Sequence, residues 1–422
     1  MTNATLDIPQ GELFDDIDNV IDDDILALIA SLDTDRPDPA NTILVPGQLT
    51  EAADPVGRLY GYIRLDTGRH TIQGWGGVEP LPELKAQLIG SVGDRPDWDF
   101  EYAVHGAVGN DGKVEFRLIS ADPQDPGIPL AQTLYYPKQD MFSRHLGLLE
   151  SDWMDNKTAV LCGCGSVGSS IAMEMARSGV GRFILIDADC FEYHNVCRHQ
   201  CNQTDLGRFK VDAVGERILQ INPNAQILKF YRFIQDVPYH QYAHWIDPKN
   251  TVFIGTCDNR LGNAYACDIA YDFGAPFVAL GFMPRAWGGE IFIALPERHD
   301  ICYHCAFKNQ VDNARAEQHR NHLYMDAENP QAANFVPGLS VDIMYGCAIA
   351  SKVLLDVFNR EIEGYKPRII HTLGQFNVFS GTDDKDSADP VWRKLLPQPL
   401  GMRKLRLADN CRRCAHCISQ TE

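Results

Sequence analysis

A glycine-rich turn lies directly after an apolar run, Thr158 to Leu161. It reads Gly163-Cys164-Gly165-Ser166-Val167-Gly168, a G-x-G-x-x-G pattern that opens a predicted helix. Glycines at these three places allow a tight turn and a close approach of backbone to phosphate. The helix N-terminus adds free N–H groups and a partial positive charge. Alone, the pattern is compatible with a dehydrogenase, a methyltransferase or an adenylating enzyme.

Polar residues that suit a triphosphate follow the next apolar run. Asp187 ends that run, where a carboxylate commonly accepts hydrogen bonds from ribose hydroxyls. Asp189, Asn195 and Arg198 come soon after it. A dehydrogenase has no need of an asparagine and an arginine so close to the ribose carboxylate, whereas a triphosphate needs neutralising donors. The segment therefore favours an enzyme that holds a nucleoside triphosphate.

Two further motifs extend this site. Lys210 stands at the start of a predicted helix, and Asp258-Asn259 follows an apolar run that predicts a strand. The end of that strand lies at the carboxyl edge of a parallel sheet, where ligands of α/β proteins bind. A carboxylate that faces a polyphosphate is a natural Mg²⁺ ligand, so Asp258 is predicted to hold the metal.

In this order and at this spacing, the motifs resemble those of the ThiF/MoeB/HesA adenylyltransferases, the superfamily that includes the ubiquitin-activating enzymes. The shared pattern is a glycine-rich loop, D-x-D-x-x-x-x-x-N-x-x-R, a lysine, and D-N after a strand. The resemblance covers about residues 140 to 417 and implies that ATP and Mg²⁺ are used. The implied nucleotide contacts are Gly163, Gly165, Gly168, Asp187, Asp189, Asn195, Arg198, Lys210, Asp258 and Asn259.

The resemblance also implies a role for each charged residue. Asp187 would hold the ribose, while Asn195, Arg198 and Lys210 would hold the phosphates. Asp258 would bind Mg²⁺ and would be the most sensitive catalytic position. Arg198 and Lys210 would share the catalytic role because they neutralise developing charge.

An arginine upstream of the loop implies a homodimer. The family has Y-x-R-Q there, and its arginine reaches the ATP site of the partner subunit; the matching piece here is Phe142-Ser143-Arg144-His145. Arg144 is therefore the candidate arginine finger, and an exposed helical arginine is the alternative. The chain departs from the family twice, because histidine replaces glutamine at His145 and at His199.

Two groups of cysteines predict a structural zinc site. Cys302 and Cys305 form one C-x-x-C, and a second lies near the C-terminus, where Cys411, Cys414 and Cys417 compete for two positions. Thiolates at this spacing reach one tetrahedral Zn²⁺ at about 2.3 Å. Family position favours Cys414 and Cys417, although Cys411 in place of Cys417 stays an alternative. Four thiolates indicate a structural role, since a catalytic zinc needs an open position.

The sequence leaves a catalytic thiol undecided. Many relatives carry an acyl-accepting cysteine on the loop after the first zinc knuckle, but residues 306 to 337 contain none. Either the enzyme stops at the adenylate, or the thiol lies elsewhere. The other candidates are Cys164, Cys190, Cys197, Cys201 and Cys411.

These motifs need a parallel sheet to bring them together. The fold class predicted is α/β, a Rossmann-like, doubly wound and mostly parallel sheet with structural zinc, preceded by a small α+β domain. The predicted divisions are an acidic helix and linker (1–54), an accessory domain (55–135) and the adenylation domain (136–422). Predicted strands are 59–65, 71–75, 102–108, 114–119, 158–161, 183–186, 227–231, 252–255 and 277–280, and predicted helices are 82–89, 211–221, 260–273 and 337–358. Residues 109–112 predict a hairpin turn.

Charge and length exclude several classes. The 422 residues include 57 acidic and 38 basic ones, a net charge of -19, which argues against a general nucleic-acid or anionic-membrane binder. No apolar run is long enough to span a membrane, and the N-terminus does not resemble a secretory signal, so we expect a cytoplasmic protein. Residues 1–40 hold eleven acidic residues and only Arg36 as a base. They predict an acidic amphipathic helix packed on its own domain, with docking to a basic partner or plain disorder as alternatives.

By the resemblance, the reaction is adenylation of the C-terminal carboxylate of a ubiquitin-like β-grasp protein. Onward transfer as a thioester to a conjugating carrier is an extension of this hypothesis. The runner-up is adenylation of a ribosomal peptide or of a carboxylate on a tRNA base. An inactive scaffold subunit would have no need of Arg198, Lys210 and Asp258 together. A nicotinamide dehydrogenase would explain neither the D-N step nor the paired cysteines.

Overall fold

A computed structural model describes residues 41–53, 55–64, 69–72 (backbone only), 85–97, 99–136, 140–311, 338–382, 394, 396 and 399–407. They divide into two compact units, one up to Tyr136 and one from Asp140 onward. The predicted acidic helix in residues 1–40, the thiol-free segment from residue 312 to 337, and Cys411, Cys414 and Cys417 lie outside the described residues.

The first unit is built on one eight-stranded sheet. Its strands are β1 (Thr42–Pro46), β2 (Gly57–Arg64), β3 (Arg69–Ile72), β4 (Gln87–Val92), β5 (Tyr102–Val108), β6 (Val114–Ser120), β7 (Ile128–Pro129) and β8 (Ala131–Tyr135), with one short helix, α1 (Gly47–Thr50). The order across the sheet is β7-β6-β5-β4-β2-β3-β1-β8. The predicted turn is confirmed, because β5 pairs antiparallel with β6 and Gly112 has a φ of 77°.

Two predictions for this unit are wrong. The helix expected over 82–89 is instead strand β4 from Gln87 onward, which pairs with β2 and β5. A Cβ on Gly90 would lie 1.8 Å from the carbonyl oxygen of Val104, so this glycine permits the close strand pairing that overrides local helical spacing. Residues 42–46, expected within a linker, form β1, which pairs with β3 and β8.

The second unit contains the predicted parallel sheet. Its strands are β9 (Thr158–Cys162), β10 (Arg182–Ile186), β11 (Gln226–Phe230), β12 (Thr251–Gly255), β13 (Phe277–Phe282), β14 (Gly288–Ala294), β15 (Phe376–Ser380) and β16 (Met402–Leu405). The order is β11-β10-β9-β12-β13-β14-β15-β16. The first five strands run parallel, and the last three join antiparallel. The α/β, mostly parallel prediction is therefore confirmed for this unit.

Helices cover this sheet. They are α2 (Ser151–Asp155), α3 (Ser166–Arg177), α4 (Lys210–Ile221), α5 (Arg260–Asp272), α6 (Tyr303–Ala306) and α7 (Ser340–Phe358). Single 3₁₀ turns occupy Ser143–His145, Tyr193–Asn195, Gln203–Asp205, Ile234–Asp236, Tyr239–Gln241, Ala243–Trp245, Pro296–Arg298 and Ile370–Thr372. The helices expected over 211–221, 260–273 and 337–358 match α4, α5 and α7 to within a few residues.

The core of the second unit explains why the central strands are so apolar. All five residues of β9 are buried, as are all five of β12, because helices cover both faces of the sheet. A fully buried side chain such as Phe253 contributes about 1.5–3 kcal/mol to the free energy of unfolding. The strands that carry the site are therefore continuous apolar runs in the sequence.

The path of the chain fixes where a ligand would bind. From β9 it proceeds outward through β10 to β11, then returns to place β12 on the other side of β9. Between β9 and β12 the loops depart in opposite directions and leave a crevice at the carboxyl ends of the strands. The glycine loop and the Asp258-Asn259 step both follow these two strands. Among the helices that the structure describes, none is long and apolar enough to cross a membrane.

Candidate nucleotide-binding site

The glycine loop is packed too tightly for any other residue at two of its positions. Gly163 has a φ of 104°, in the left-handed region that favours glycine. A Cβ on Gly168 would lie 2.0 Å from the carbonyl oxygen of Gly163. Gly165 differs, because a Cβ there would meet nothing within 4 Å. The loop is therefore closed on its protein side and open at Gly165.

Thr256 binds the loop to the neighbouring strand. Its hydroxyl shares one proton between the carbonyl oxygens of Gly163 (2.8 Å) and Cys162 (3.1 Å), and its N–H donates to the carbonyl oxygen of Cys162 (3.0 Å). Thr256 directly follows β12, so these bonds hold the carboxyl ends of β9 and β12 together. Sequence reasoning missed this residue, although its place two positions before Asp258 was a usable signal.

The N-terminus of α3 presents unused backbone donors. Gly165 is the N-cap residue, and no side chain of the described residues caps this helix end. The first N–H groups of a helix have no partner within the helix, and they carry the positive end of its dipole. An anion beside Gly165 would satisfy them.

Asp187 is fixed at the end of β10. One carboxylate oxygen accepts the N–H of Cys164 at 2.7 Å, and the other accepts the N–H of Asp189 at 2.8 Å. Burial raises the pKa of Asp187, while Lys210 opposes that rise. The remaining lone pairs of this oriented carboxylate can accept further hydrogen bonds, as the ribose role requires.

Lys210 lies at the centre of the charged groups. A short antiparallel contact between residues 189–191 and 207–210 brings it there, through hydrogen bonds such as Lys210 N–H to Asp189 O at 2.9 Å. Its Nζ donates to the Asp189 carboxylate at 2.8 Å. Burial alone would lower the pKa of Lys210, but Asp187, Asp189 and Asp258 together raise it above the usual value. The ammonium therefore stays charged.

Asp258 and Asn259 have different local tasks. Asn259 is the N-cap of α5, where its side-chain oxygen accepts the N–H of Gly262 at 2.8 Å, and its amide donates to Asp258 at 3.3 Å. The Asp258 carboxyl lies at the surface between its neighbours, where partial desolvation and then Asp189 raise its pKa, against Asn259 and Lys210. Because Asp189 contributes to this rise, Asp258 lies in a region of negative potential, which favours a cation.

The structure places the remaining predicted phosphate ligands on the next turn. The side-chain oxygen of Asn195 accepts the N–H of Glu192 at 2.9 Å and so closes the 3₁₀ turn Tyr193–Asn195. Arg198 is half-buried just beyond it. Asn195 thus has a structural role in this turn, and its contact with a phosphate stays a prediction.

His199 is hydrogen-bonded to the glycine loop at Cys164, and the sequence did not predict this contact. Only 8% of the residue is exposed, and its Nδ1 accepts the N–H of Cys201 at 3.0 Å. Nε2 therefore carries the proton and donates to the carbonyl oxygen of Cys164 at 2.8 Å. Burial lowers the pKa of His199 to about 4, so the ring is neutral at pH 7. This histidine is a positioning residue for the glycine loop.

Arg144 is not brought to these groups within one chain. It lies exposed in the 3₁₀ turn Ser143–His145. No hydrogen bond or ion pair between described residues connects it to the glycine loop. Its predicted reach into a partner subunit stays a prediction.

The cysteines separate into buried and exposed groups. Cys164 and Cys201 are buried, and desolvation raises the pKa of Cys201 to about 12 and that of Cys164 well above its usual range. Cys190 and Cys197 are exposed. Because the thiolate is the nucleophile, the buried pair is unsuited to accept an acyl group at neutral pH.

The first half of the predicted zinc site is ordered around α6. Cys302 is its N-cap and is buried, and Cys305 lies within the helix and is half-buried. Within the part of the chain that the structure describes, no cluster of three or more candidate metal ligands occurs. Cys414 and Cys417 are outside that part.

Comparison with known proteins identifies relatives of the second unit. The sequence model of the ThiF family matches residues 139–383. A tRNA threonylcarbamoyladenosine dehydratase of Bacillus subtilis (strain 168) is 35% identical over 121 residues, 26% of this chain and 47% of that protein. An adenylyltransferase and sulfurtransferase uba4 of Aspergillus clavatus is 25% identical over 232 residues, 53% of this chain and 42% of that protein.

A further relative and two solved structures extend the comparison. Ubiquitin-like modifier-activating enzyme 5 of Caenorhabditis elegans is 36% identical over 90 residues, 21% of each chain. The chain thus spans less than half the length of these curated relatives. The structure of E. coli MccB with ATP covers 63% of this chain and 68% of its own, with 17% identity and a TM-score of 0.45. The structure of PaaA covers 55% of this chain and 72% of its own, with 23% identity and a TM-score of 0.42.

A Cβ has no space at Gly168 but open space at Gly165, so alanine substitutions at the two positions should affect different properties. Gly168→Ala should lower the free energy of unfolding by about 1–3 kcal/mol, because its Cβ has no space. Gly165→Ala should leave stability nearly unchanged but weaken nucleotide binding, because its methyl group projects into the open side of the loop. Thermal unfolding and nucleotide titration of both variants provide the measurement. Equal destabilisation by the two substitutions would contradict this geometry.

Neutral, buried His199 predicts a defined pH dependence. Between about pH 6.5 and 4, the unfolded chain binds a proton at this ring and the folded chain does not. The free energy of unfolding therefore decreases as the pH falls through this range. The full contribution is about 3 kcal/mol. His199→Gln, which keeps a donor for the Cys164 carbonyl, should flatten the stability profile in this window. The same pH profile of stability in the native chain and in His199→Gln, measured by urea unfolding, would contradict a buried, neutral His199.

Proposed function

Because this chain belongs to the ThiF family, we propose that it is an ATP-dependent adenylyltransferase that activates a carboxylate as an acyl-adenylate. One observation carries the proposal. A helix N-terminus with no side-chain cap among the described residues, the half-buried Asp187 carboxylate and a lysine with three carboxylates around it meet at the carboxyl edge of β9 and β12. A nicotinamide dinucleotide would use the first two features but has no need of the third.

In this proposal, different residues contact the ribose and the phosphates of ATP. Asp187 accepts the ribose hydroxyls with the lone pairs that its two backbone hydrogen bonds leave open. The N–H groups behind Gly165 bind a phosphate oxygen. Lys210 and Arg198 neutralise the phosphates, with Asn195 as an additional donor. Asn259 shapes this end of the site as the cap of α5.

Asp258 would hold Mg²⁺, and the donor set fits that ion. Hard carboxylate oxygens are the ligands Mg²⁺ prefers, and the pKa of Asp258 is raised by desolvation and by the neighbouring Asp189 carboxylate. The nearby Asp189 carboxylate adds to the negative potential. When bound, the ion supplies positive charge at the phosphates. Neutralising it would also relieve the repulsion between these carboxylates.

The proposed chemistry is an in-line displacement at the α-phosphorus. A carboxylate oxygen of the substrate forms the new bond to phosphorus, the bond to the bridging oxygen of the β-phosphate breaks, and pyrophosphate leaves with the electron pair. Arg198 and Lys210 stabilise charge on the phosphate oxygens as it develops. No proton transfer is required, because the attacking acid is already ionised.

Arg144 extends this proposal to a homodimer. Its exposed position on the turn Ser143–His145 leaves the guanidinium available to the site of a second copy. A cation supplied in this way resembles the arginine fingers of other phosphoryl-transfer enzymes, whose loss lowers the rate by about 10³–10⁵.

We propose the C-terminal carboxylate of a ubiquitin-like protein as the substrate. Two of the relatives support it by name, as a uba4 adenylyltransferase and a ubiquitin-like modifier-activating enzyme. A peptide carboxylate or a carboxylate on a tRNA base is the second candidate, since the B. subtilis relative is named for a modified tRNA base. The net charge of -19 opposes tRNA. The first unit would select the protein partner or a downstream conjugating carrier.

We further propose that Cys302, Cys305, Cys414 and Cys417 hold a structural Zn²⁺. The two thiols on and beside α6 fit half of such a site in residue type and spacing. The α6 segment is also tied to the nucleotide edge, because Arg260 at the start of α5 donates to the Tyr303 hydroxyl at 2.8 Å and pairs with Glu290. Zinc would stabilise this connection rather than take part in the reaction.

Asp258→Asn should lower ATP–pyrophosphate exchange by about 10²–10³, because the amide removes the charge that holds the metal. Exchange is measured separately with a ubiquitin-like protein, a short peptide and tRNA. The matched control is Asp236→Asn, at an exposed aspartate on the 3₁₀ turn Ile234–Asp236, which should exchange normally. Unchanged exchange in Asp258→Asn would reject the catalytic assignment. Exchange with the peptide or the tRNA alone would reject the ubiquitin-like substrate.

The zinc proposal has a readout independent of activity. The purified chain should contain one Zn²⁺ per protomer by elemental analysis, and Cys302→Ser or Cys305→Ser should lose most of it. Cys414→Ser and Cys417→Ser should behave alike, whereas Cys411→Ser should keep the metal. Cys197→Ser, at an exposed thiol, is the matched control. Full zinc content in the Cys302→Ser, Cys305→Ser double variant would contradict the site.

A further inference from the structure

A second recess lies at the edge of the parallel sheet opposite the nucleotide site. It has a volume of about 280 Å³ and is lined by residues that include Trp153, Lys157, Arg182, Asp247, Asn250 and Ile362. Lys157 directly precedes β9, Arg182 begins β10 and Asn250 directly precedes β12. The recess is therefore at the amino ends of these strands. It is roughly 16 Å, one five-residue strand, from the glycine loop.

Lys157 is the feature that requires explanation. Only 1% of the residue is exposed. Its Nζ donates to the side-chain oxygen of Asn250 at 2.7 Å, and among the described residues no carboxylate lies within 4.0 Å of it. An ammonium has three donors and a full charge, and burying both without a counter-charge is expensive. Burial also lowers its pKa, and the nearby Arg360 adds to that effect.

The nearest carboxylates are already committed to other groups. Asp247 accepts the Asn250 side-chain amide at 2.6 Å and the N–H of Lys249 at 3.1 Å, which closes its own turn. Glu361 pairs with Arg360 at 3.7 Å. Both raise the pKa of Lys157 only from a distance. The positive charge in the recess is therefore incompletely balanced.

Although the Asp247 carboxylate also lines the recess, Arg182, Trp153 and Ile362 complement an anion that carries a flat apolar group. Arg182 is exposed at the mouth and has no hydrogen bond or ion pair from its side chain within the described ranges. Trp153 is 42% exposed and offers an indole face, and Ile362 adds apolar surface. The volume of the recess exceeds what a bare phosphate or carboxylate group fills.

We propose that this recess binds a small aromatic oxyanion, with its phosphate or carboxylate group between Lys157 and Arg182 and its ring against Trp153. The site is separate from the proposed ATP site, and it depends on neither the reaction nor the metal. It belongs entirely to the second unit. Because Lys157 leads into β9, an occupied recess would fix the same strand that ends in the glycine loop.

The test uses the full-length protein and three probes at matched ionic strength: phenyl phosphate, benzoate and uncharged phenol. Phenyl phosphate and benzoate test the two sources of the oxyanion. At least one should raise the melting temperature and change tryptophan fluorescence in a saturable manner, whereas phenol should do neither. Trp153→Phe should lose the fluorescence change but keep the thermal shift.

Four variants locate the binding. Lys157→Met should raise the dissociation constant about tenfold or more, because it removes a charge-assisted hydrogen bond. Arg182→Gln, at an exposed residue whose loss leaves the fold intact, should raise it at least about threefold. Lys210→Met removes a cation at the nucleotide edge and should leave the constant unchanged, as should Arg177→Gln on the surface. The proposal is overturned if no oxyanion binds saturably, or if Lys210→Met abolishes binding while Arg182→Gln does not.

Discussion

The contact between Gly168, the carbonyl oxygen of Gly163 and the hydroxyl of Thr256 is the constraint on which the site depends. A Cβ on Gly168 would lie 2.0 Å from that oxygen and 2.9 Å from that hydroxyl. Helix α3 can therefore begin only where β9 and β12 end. This contact places an uncapped helix N-terminus, Asp187 and Asp258 at one edge of one sheet.

Electrostatics at this edge is unbalanced in a way that a metal-bound triphosphate would correct. Lys210 lies among Asp187, Asp189 and Asp258, and burial raises the pKa of two of these carboxyls. Three carboxylates therefore lie around one lysine, next to a helix N-terminus that carries the positive end of its dipole. A cation and a polyphosphate together fit this arrangement better than either would alone.

The two ends of strand β9 lie next to buried polar side chains that differ in how completely they are hydrogen-bonded. At its carboxyl end, the polar ring of His199 is buried but neutral, and both nitrogens are hydrogen-bonded, so its burial is compensated. At its amino end, Lys157 is buried, and among the described residues its side chain makes one hydrogen bond, to Asn250. The hydrogen bonds of His199 hold the glycine loop in place. The Lys157 ammonium has donors left over, which is why we propose a ligand for it.

The sequence alone determined the parallel sheet and its motifs, because a strand buried on both faces shows as a continuous apolar run and a glycine loop has a fixed pattern. The apolar runs at 158–161 and 252–255 predicted β9 and β12 closely for this reason. Only the tertiary structure decided that His199 and Thr256 hydrogen-bond to the glycine loop and that the buried Lys157 ammonium lacks a carboxylate within 4.0 Å among the described residues. Each of these depends on which atoms meet across the fold. It also replaced a predicted helix with β4, because pairing with β2 and β5 outweighs local helical spacing.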